Sequence, residues 1–320
     1  MTYHHIVFLI MVEYNNIGRI EMKDYLNQEK LNLMKNGKGF IAALDQSGGS
    51  SAKTLLKYGV DSSMYQNDEE MFELIHDMRK RVFTSPVFTN EKIIGSILFY
   101  KTMESKVEDK YTSEYLWENK KIISFLKVDK GLMEEEKQVK LMKDIPDLDK
   151  QLEEAKNKHV FGTKMRSVIY EANEEGIKKV VDQQFDFAKK ICDAGLVPII
   201  EPEVDINSKE KDKCEHILKE EIKNKLDNWN QNDLIMFKFS IPDEDNLYLD
   251  LYNYPSVIKI VALSGGYDLN TSVEKLKRNK RVVASFSRAL LENLNVNQSD
   301  VEFDNKLKES IDLIYNASLD

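Results

Sequence analysis

The 320-residue chain is short of cysteine, histidine and basic charge, and each shortage removes a class of explanation. Its two cysteines, Cys192 and Cys214, form no CxxC pair and build no disulfide framework. They fit a reducing compartment and read as buried or incidental thiols. The five histidines, His4, His5, His76, His159 and His216, are scattered, and none lies in a strand-like run. No pair of them sits on one helix face with a carboxylate partner at a strand end, whereas a zinc site needs several converging ligands. A catalytic metal is therefore not expected. Acidic residues outnumber basic ones by 55 to 46, for a formal charge of -9. Such a surface repels nucleic acid and anionic lipid, so neither is an expected partner. A phosphate ligand fits only in a pocket that reverses the sign locally.

The apolar run Ile6–Val12 spans roughly 10 Å as a helix, well short of the roughly 20 residues of a membrane crossing. It has neither the preceding basic residues nor the small-residue cleavage site of a signal peptide, so the expected location is the cytoplasm. Residues 1–22 read as an N-terminal extension, either an extra docked strand or sequence ahead of a start at Met22. No stretch rich in Pro, Gly or Ser interrupts the rest, and residues 23–320 read as one domain.

What is present is a rhythm. With 42% hydrophobic and 32% charged residues, the chain has enough apolar matter for one large core. From residue 37 onward, short β-branched apolar runs alternate with longer charged segments of helical period. The runs are Gly39–Asp45, Ile93–Phe99, Ile123–Asp129, Gly162–Ile169, Leu196–Val204, Leu234–Ile241, Val257–Leu263 and Val282–Phe286. Nearly continuous hydrophobicity marks strands buried on both faces. The clearest helix is Glu174–Ala194, with Ile177, Val180, Val181, Ala188 and Ile191 at i, i+3, i+4 spacing and Gly195 closing it. Eight strand–helix repeats without a long interruption predict a single (β/α)8 TIM barrel of the α/β class. The charged stretches Glu104–Tyr115 and Glu134–Lys150 read as solvated loops or insertions. No exposed stripe declares an interface, and a homo-oligomer is neither required nor excluded.

In a barrel, chemistry sits where strands end. The first run ends in Asp45-Gln46-Ser47-Gly48-Gly49-Ser50, the third carries Lys127 and Asp129, and the fourth Lys164 and Arg166. The fifth carries Glu201 and Glu203 and the sixth Lys238. The seventh ends in Ser264-Gly265-Gly266 and the eighth in Ser285-Phe286-Ser287-Arg288. Residues two apart share a strand face, so each charged pair points one way. Lys238 is the sharpest feature. Flanked by Phe237 and Phe239, an inward ammonium there is desolvated and near other cations, and both effects favour the neutral, nucleophilic amine. The plainer alternative is a lysine that reaches the rim or pairs with Glu201 or Glu203. Those glutamates suit proton shuttling in imine chemistry, or simple charge balance for Lys164 and Lys238. Small-residue turns after the seventh and eighth strands suit phosphate held on backbone N–H groups, with Arg288 adding a planar charged fork. Ser47 to Ser50 is a second candidate anion loop, and two such loops suggest a bisphosphate.

These strings resemble the class I fructose-bisphosphate aldolases, most closely a shorter bacterial branch. The resemblance rests on Gly37 to Ser50, Phe125 to Gly131, Gly162 to Arg166, Val197 to Glu203, Ala262 to Gly266 and Ser285 to Leu290, in family order, and covers about residues 23–318. It implies a cytoplasmic lyase of glycolysis and gluconeogenesis that cleaves fructose 1,6-bisphosphate without metal or other cofactor, through a Schiff base on Lys238. It implies that Glu201 is the acid/base, Glu203 its supporting carboxylate, Asp45 the substrate-orienting aspartate and Lys164 a contact for the C4 hydroxyl region. Lys127 and Arg166 then serve the C6 side, Ser264, Gly265, Ser285 and Arg288 the C1 phosphate, and Ser47 and Ser50 the distal phosphate. The chain also departs from the family. Gln46 stands where many relatives carry glutamate, and strand one has an extra residue before the aspartate. Phe-Ser-Ile-Pro rather than Pro-Asn follows Lys238. Tyr315, in a helix-period run, is not given the proton-exchange role of the animal enzymes' terminal tyrosine, so the enamine's proton donor is unassigned. Preference for tagatose bisphosphate, a non-catalytic sugar-phosphate-binding or scaffold barrel, and a metal-dependent aldolase are the rival readings.

Overall fold

A computed structural model describes residues 28–319. Residues 28–36 form a helix, and the compact unit that holds the barrel begins at Lys38. The reading of residues 1–22 lies outside the described residues.

All eight expected strands are present: β1 (Phe40–Leu44), β2 (Ile93–Leu98), β3 (Ile123–Lys127), β4 (Gly162–Ile169), β5 (Val197–Val204), β6 (Ile235–Ser240), β7 (Val257–Leu263) and β8 (Val282–Ala284). They pair in parallel and in sequence order. The Ala43 N–H donates to the Phe286 carbonyl at 3.2 Å, joining the two ends of the sheet. The result is a nearly closed eight-stranded barrel, as the alternation of runs implies. Their continuous hydrophobicity has the expected cause: every residue of β1, β2, β6 and β7 is buried. Close approach shapes the start of β4, where a Cβ on Gly162 would stand 2.1 Å from the Val197 carbonyl oxygen; only glycine fits.

The connections hold α1 (Gly49–Tyr58), α2 (Asp68–Thr84), α3 (Thr112–Lys120), α4 (Leu148–Asn157), α5 (Glu174–Asp193), α6 (Lys211–Leu226), α7 (Leu269–Leu276), α8 (Arg288–Leu291) and α9 (Asp300–Ala317). In α5 the Asn173 side chain caps the Gly176 N–H at 2.9 Å, and the apolar stripe read from the sequence is buried. Between β6 and β7 there is no long helix, only the 3₁₀ turn Leu249–Asn253. Pro242 and Pro255 bracket that short segment and break helical hydrogen bonding at both ends.

Two stretches correct the sequence reading. Glu104–Tyr115 is not a solvated loop: Lys106–Val107 and Lys110–Tyr111 pair as a small antiparallel hairpin, followed directly by α3 with Tyr115 buried. Glu134–Lys150 likewise contributes Val139–Lys140, antiparallel to the end of β4. Val139, Met142, Ile145 and Leu148 are buried there. These few apolar anchors lack a regular period, so the surrounding charge hides them. Gln183 fixes the second stretch, accepting the Met142 N–H at 2.9 Å and donating to its carbonyl at 3.0 Å.

Candidate active site

Because the strands are parallel, their C-terminal ends share one rim, and a cavity of about 680 Å³ opens there. It is lined by all thirteen residues singled out from the sequence: Asp45, Ser47, Ser50, Lys127, Lys164, Arg166, Glu201, Glu203, Lys238, Ser264, Gly265, Ser285 and Arg288. Its size suits a small metabolite. Six cations (Lys53, Lys127, Lys164, Arg166, Lys238, Arg288) face four carboxylates (Asp45, Asp129, Glu201, Glu203). The cavity is therefore formally positive inside a chain of charge -9, which is the local reversal a phosphate ligand requires.

A chain of charges crosses the floor. Lys164 Nζ lies 2.6 Å from Asp45 Oδ2 and 3.0 Å from Glu201 Oε2. The other oxygen of Glu201 lies 3.0 Å from Lys238 Nζ. Glu201 is thus shared by two lysines, and the Lys238 side chain is only 5% exposed. Strand alternation sets this up. Phe237 and Phe239 flank Lys238 and point to the opposite face, where their rings stack at 5.3 Å and Phe239 stacks on Tyr248 at 3.9 Å. From α5, the buried Gln184 accepts the Glu201 N–H at 2.9 Å and pins that residue's backbone.

The groups at the Asp45 end are locked in their charged forms. Burial pushes the Asp45 carboxyl up, but Lys164 and Lys238 outweigh it and hold it well below the usual aspartate range. Burial likewise opposes the charge on Lys164, yet Asp45 and Glu201 hold it far above the usual lysine range. Lys164 is therefore a fixed cation and a poor nucleophile. Lys238, with one carboxylate partner instead of two, stands at the end of the chain.

A depressed carboxyl pKa has a consequence for stability. Asp45 contributes stabilisation that is complete above about pH 5 and is lost as the pH falls through and below the ordinary aspartate range. Asp45→Asn should be less stable than the wild type at neutral pH, with a shallower loss between about pH 5 and pH 2. Urea unfolding across that window measures it, and parallel pH profiles for the two proteins would contradict it.

Other pairings differ in detail from the sequence reading. Lys127 and Asp129 do pair, at 2.7 Å. Glu203 pairs with Arg166. Ser50 Oγ accepts the Ser47 N–H at 2.9 Å and donates to the Ser47 carbonyl at 2.8 Å, closing the β1 turn on itself. Gly265 adopts φ +61°, and a Cβ there would lie 2.4 Å from the Ile206 side chain, so the turn after β7 needs glycine. Among the described residues the Ser285 hydroxyl is buried without a hydrogen-bond partner, on the cavity wall.

The sequence reading missed Lys53, Thr54 and Leu132, which also line the cavity. Lys53 had a signal, a cation three residues beyond the Ser47–Ser50 turn. It also missed a surface group. His216 Nε2 lies 3.4 Å from Asp212 and 3.2 Å from Glu244; Asp212 and His216 are one turn apart on α6. All three are exposed and outside the cavity.

Comparison with known proteins agrees with this fold. A family model described as "Fructose-bisphosphate aldolase class-I" matches residues 25–237. Among solved structures, fructose-bisphosphate aldolase from Plasmodium falciparum, crystallised with TRAP and a small-molecule inhibitor, superposes with a TM-score of 0.70 at 18% identity, covering 92% of this chain and 93% of that one. Cgl0159 from Corynebacterium glutamicum gives a TM-score of 0.50 at 13% identity, over 95% and 96% of the two chains. At these identities the structures speak for the fold, and the match over two thirds of the sequence speaks for kinship: the chain belongs to the class I fructose-bisphosphate aldolase family.

Proposed function

We propose that the protein cleaves fructose 1,6-bisphosphate reversibly to dihydroxyacetone phosphate and glyceraldehyde 3-phosphate, through an imine on Lys238, in glycolysis and gluconeogenesis. The observation that carries this is the shared carboxylate: Glu201 lies 3.0 Å from both Lys164 and Lys238. A proton passing from Lys238 to Glu201 leaves a neutral amine next to a carboxylic acid, with the Asp45–Lys164 pair intact. The amine adds to the C2 ketone. Glu201 then returns the proton to the carbinolamine oxygen, water leaves, and a C2 iminium remains. That cation takes up the electron pair of the C3–C4 bond while a carboxylate, Glu201 or Asp45, accepts the proton of the C4 hydroxyl. Glyceraldehyde 3-phosphate departs. Protonation of the enamine at C3 and addition of water to the iminium release dihydroxyacetone phosphate and regenerate the lysine. The iminium supplies the polarisation, so no metal is needed in this scheme.

The phosphates fit the positive rim. Ser264, Gly265, Ser285 and Arg288 receive one, and the unpartnered Ser285 hydroxyl supports that assignment. Ser47, Ser50 and Lys127 serve the other, with Lys53 beside them. Arg166, braced by Glu203, joins Lys127 on that side, and Lys164 meets the hydroxyls between.

Borohydride reduction in the presence of dihydroxyacetone phosphate should attach a three-carbon adduct to the peptide containing Lys238, and cleavage should survive EDTA. An adduct on Lys164 or Lys127 would move the nucleophile. Activity abolished by chelation and restored by a divalent ion would replace the imine mechanism altogether. Parallel assays with tagatose 1,6-bisphosphate establish which C4 epimer is preferred.

A further inference from the structure

Arg79 lies on α2, outside the charge chain of the cavity floor, and is fully buried. Its Nη2 donates to the Gln46 carbonyl at 2.6 Å and to Gln46 Oε1 at 3.0 Å. Its Nη1 donates to Thr102 Oγ1 at 2.6 Å, and its Nε is buried without a partner. No carboxylate among the described residues lies within ion-pair distance of it. Burying an arginine without a carboxylate partner costs several kcal/mol, roughly, which its hydrogen bonds offset only in part.

What it does is visible one bond further on. The amide nitrogen of Gln46, held by Arg79 at its other end, donates to Ser287 Oγ at 2.5 Å and to the Ala43 carbonyl at 3.4 Å. Gln46 follows Asp45 at the end of β1; Ser287 precedes Arg288 after β8. Thr102, Arg79, Gln46 and Ser287 therefore form one series of hydrogen bonds from the segment after β2, through α2, across the β1–β8 seam. Elsewhere in the barrel neighbouring strands are joined by ladders. At this seam the strands meet through the Ala43–Phe286 bond and this bridge. Asp45 lies on one side and Ser285 and Arg288 on the other, and all three face the cavity.

We infer that Arg79 is a positioning residue: acting through Gln46, it holds the Ser287–Arg288 turn at a fixed spacing from Asp45 and so sets the affinity of that rim for phosphate. The guanidinium touches no substrate. The inference rests on the aldolase reading only for its kinetic arm; its binding arm uses inorganic phosphate.

The test uses the full chain and the variants Arg79→Met, Ser287→Ala and their double. The expected result is that each single variant raises both the KM for fructose 1,6-bisphosphate and the Kd for inorganic phosphate by about 10-fold, the order of one lost hydrogen bond, with kcat within about 3-fold and Lys238 still trapped by borohydride. Because the bonds act in series, the double variant should be no weaker than the weaker single. If Arg79→Met does not fold, Gln46→Met takes its place in the cycle, since it breaks the link to Ser287 while sparing the backbone bond to Arg79. Lowered thermal stability with unchanged KM and phosphate Kd overturns the inference, as does a double variant about 100-fold weaker, the product of independent effects. A wild type that binds phosphate but cleaves nothing sinks the aldolase reading and leaves the binding arm in force. A wild type that does neither sinks both.

Discussion

Lys238→Arg should lose at least about 10⁴-fold in kcat/KM for fructose 1,6-bisphosphate, because the reaction loses its nucleophile and not merely a contact. Arginine is chosen because it keeps a positive charge beside Glu201 while its guanidinium does not give up a proton at any working pH. The ion pair at the barrel centre is then retained in kind, and a failure to turn over reports on chemistry rather than folding. Thermal unfolding within a few degrees of the wild type checks that point. Trapping with dihydroxyacetone phosphate and borohydride should give no adduct. Undiminished turnover in this variant would exclude a covalent role for the sixth strand. Lost turnover with an adduct on Lys164 would mean that the cation we describe as fixed had surrendered its proton. The geometry argues against that, since two carboxylates lie within 3.0 Å of Lys164.

Glu201→Gln should lower kcat by about 10²- to 10⁴-fold, the usual worth of a positioned acid/base. The amide keeps the shape and still accepts hydrogen bonds, but it cannot carry a proton between the amine and the carbinolamine oxygen. Imine formation should slow without vanishing, so prolonged incubation with dihydroxyacetone phosphate and borohydride still labels Lys238. The two single-turnover rates, labelling and cleavage, therefore separate this variant from Lys238→Arg. Stability should fall as well, because Lys238 loses its carboxylate while Lys164 keeps Asp45; one unpaired buried charge costs about 3–5 kcal/mol at most. If kcat falls less than about 3-fold while stability drops by that amount, Glu201 only balances charge and the proton moves by another route.

The barrel and most of its mouth were readable in the sequence because both depend on period and position. Strands buried on two faces must be apolar throughout, so a lysine at 238, or a lysine and an arginine at 164 and 166, stands out as a violation with a reason. The Ser264 and Ser285 turns were readable because they follow such strands. Arg79 was not, because it lies in a helix rich in charge where one more basic residue draws no attention. A signal existed even so: Arg79 occupies the stripe defined by Met71, Ile75, Met78 and Val82, all of them buried, where a solvated side chain has no place. Pairing was the other blind spot. That Glu203 braces Arg166 rather than Glu201 depends on strand stagger, with Glu201 beside Arg166 and Glu203 beside Val168 in the β4–β5 register. No run of letters reports stagger. The Met142 anchor failed to show for a third reason: isolated apolar residues among charges have no period to detect.

Along the cavity floor, Asp45, Lys164, Glu201 and Lys238 alternate in sign and sum to zero. Handing a proton from one member to the next changes which atom bears it and leaves the total as it was. The surplus that attracts an anion belongs instead to Lys53 and Arg288 on the rim, which have no ion-pair partner among the described residues. On the proposed function, the charges that hold the phosphates are thus separate from those that move the protons.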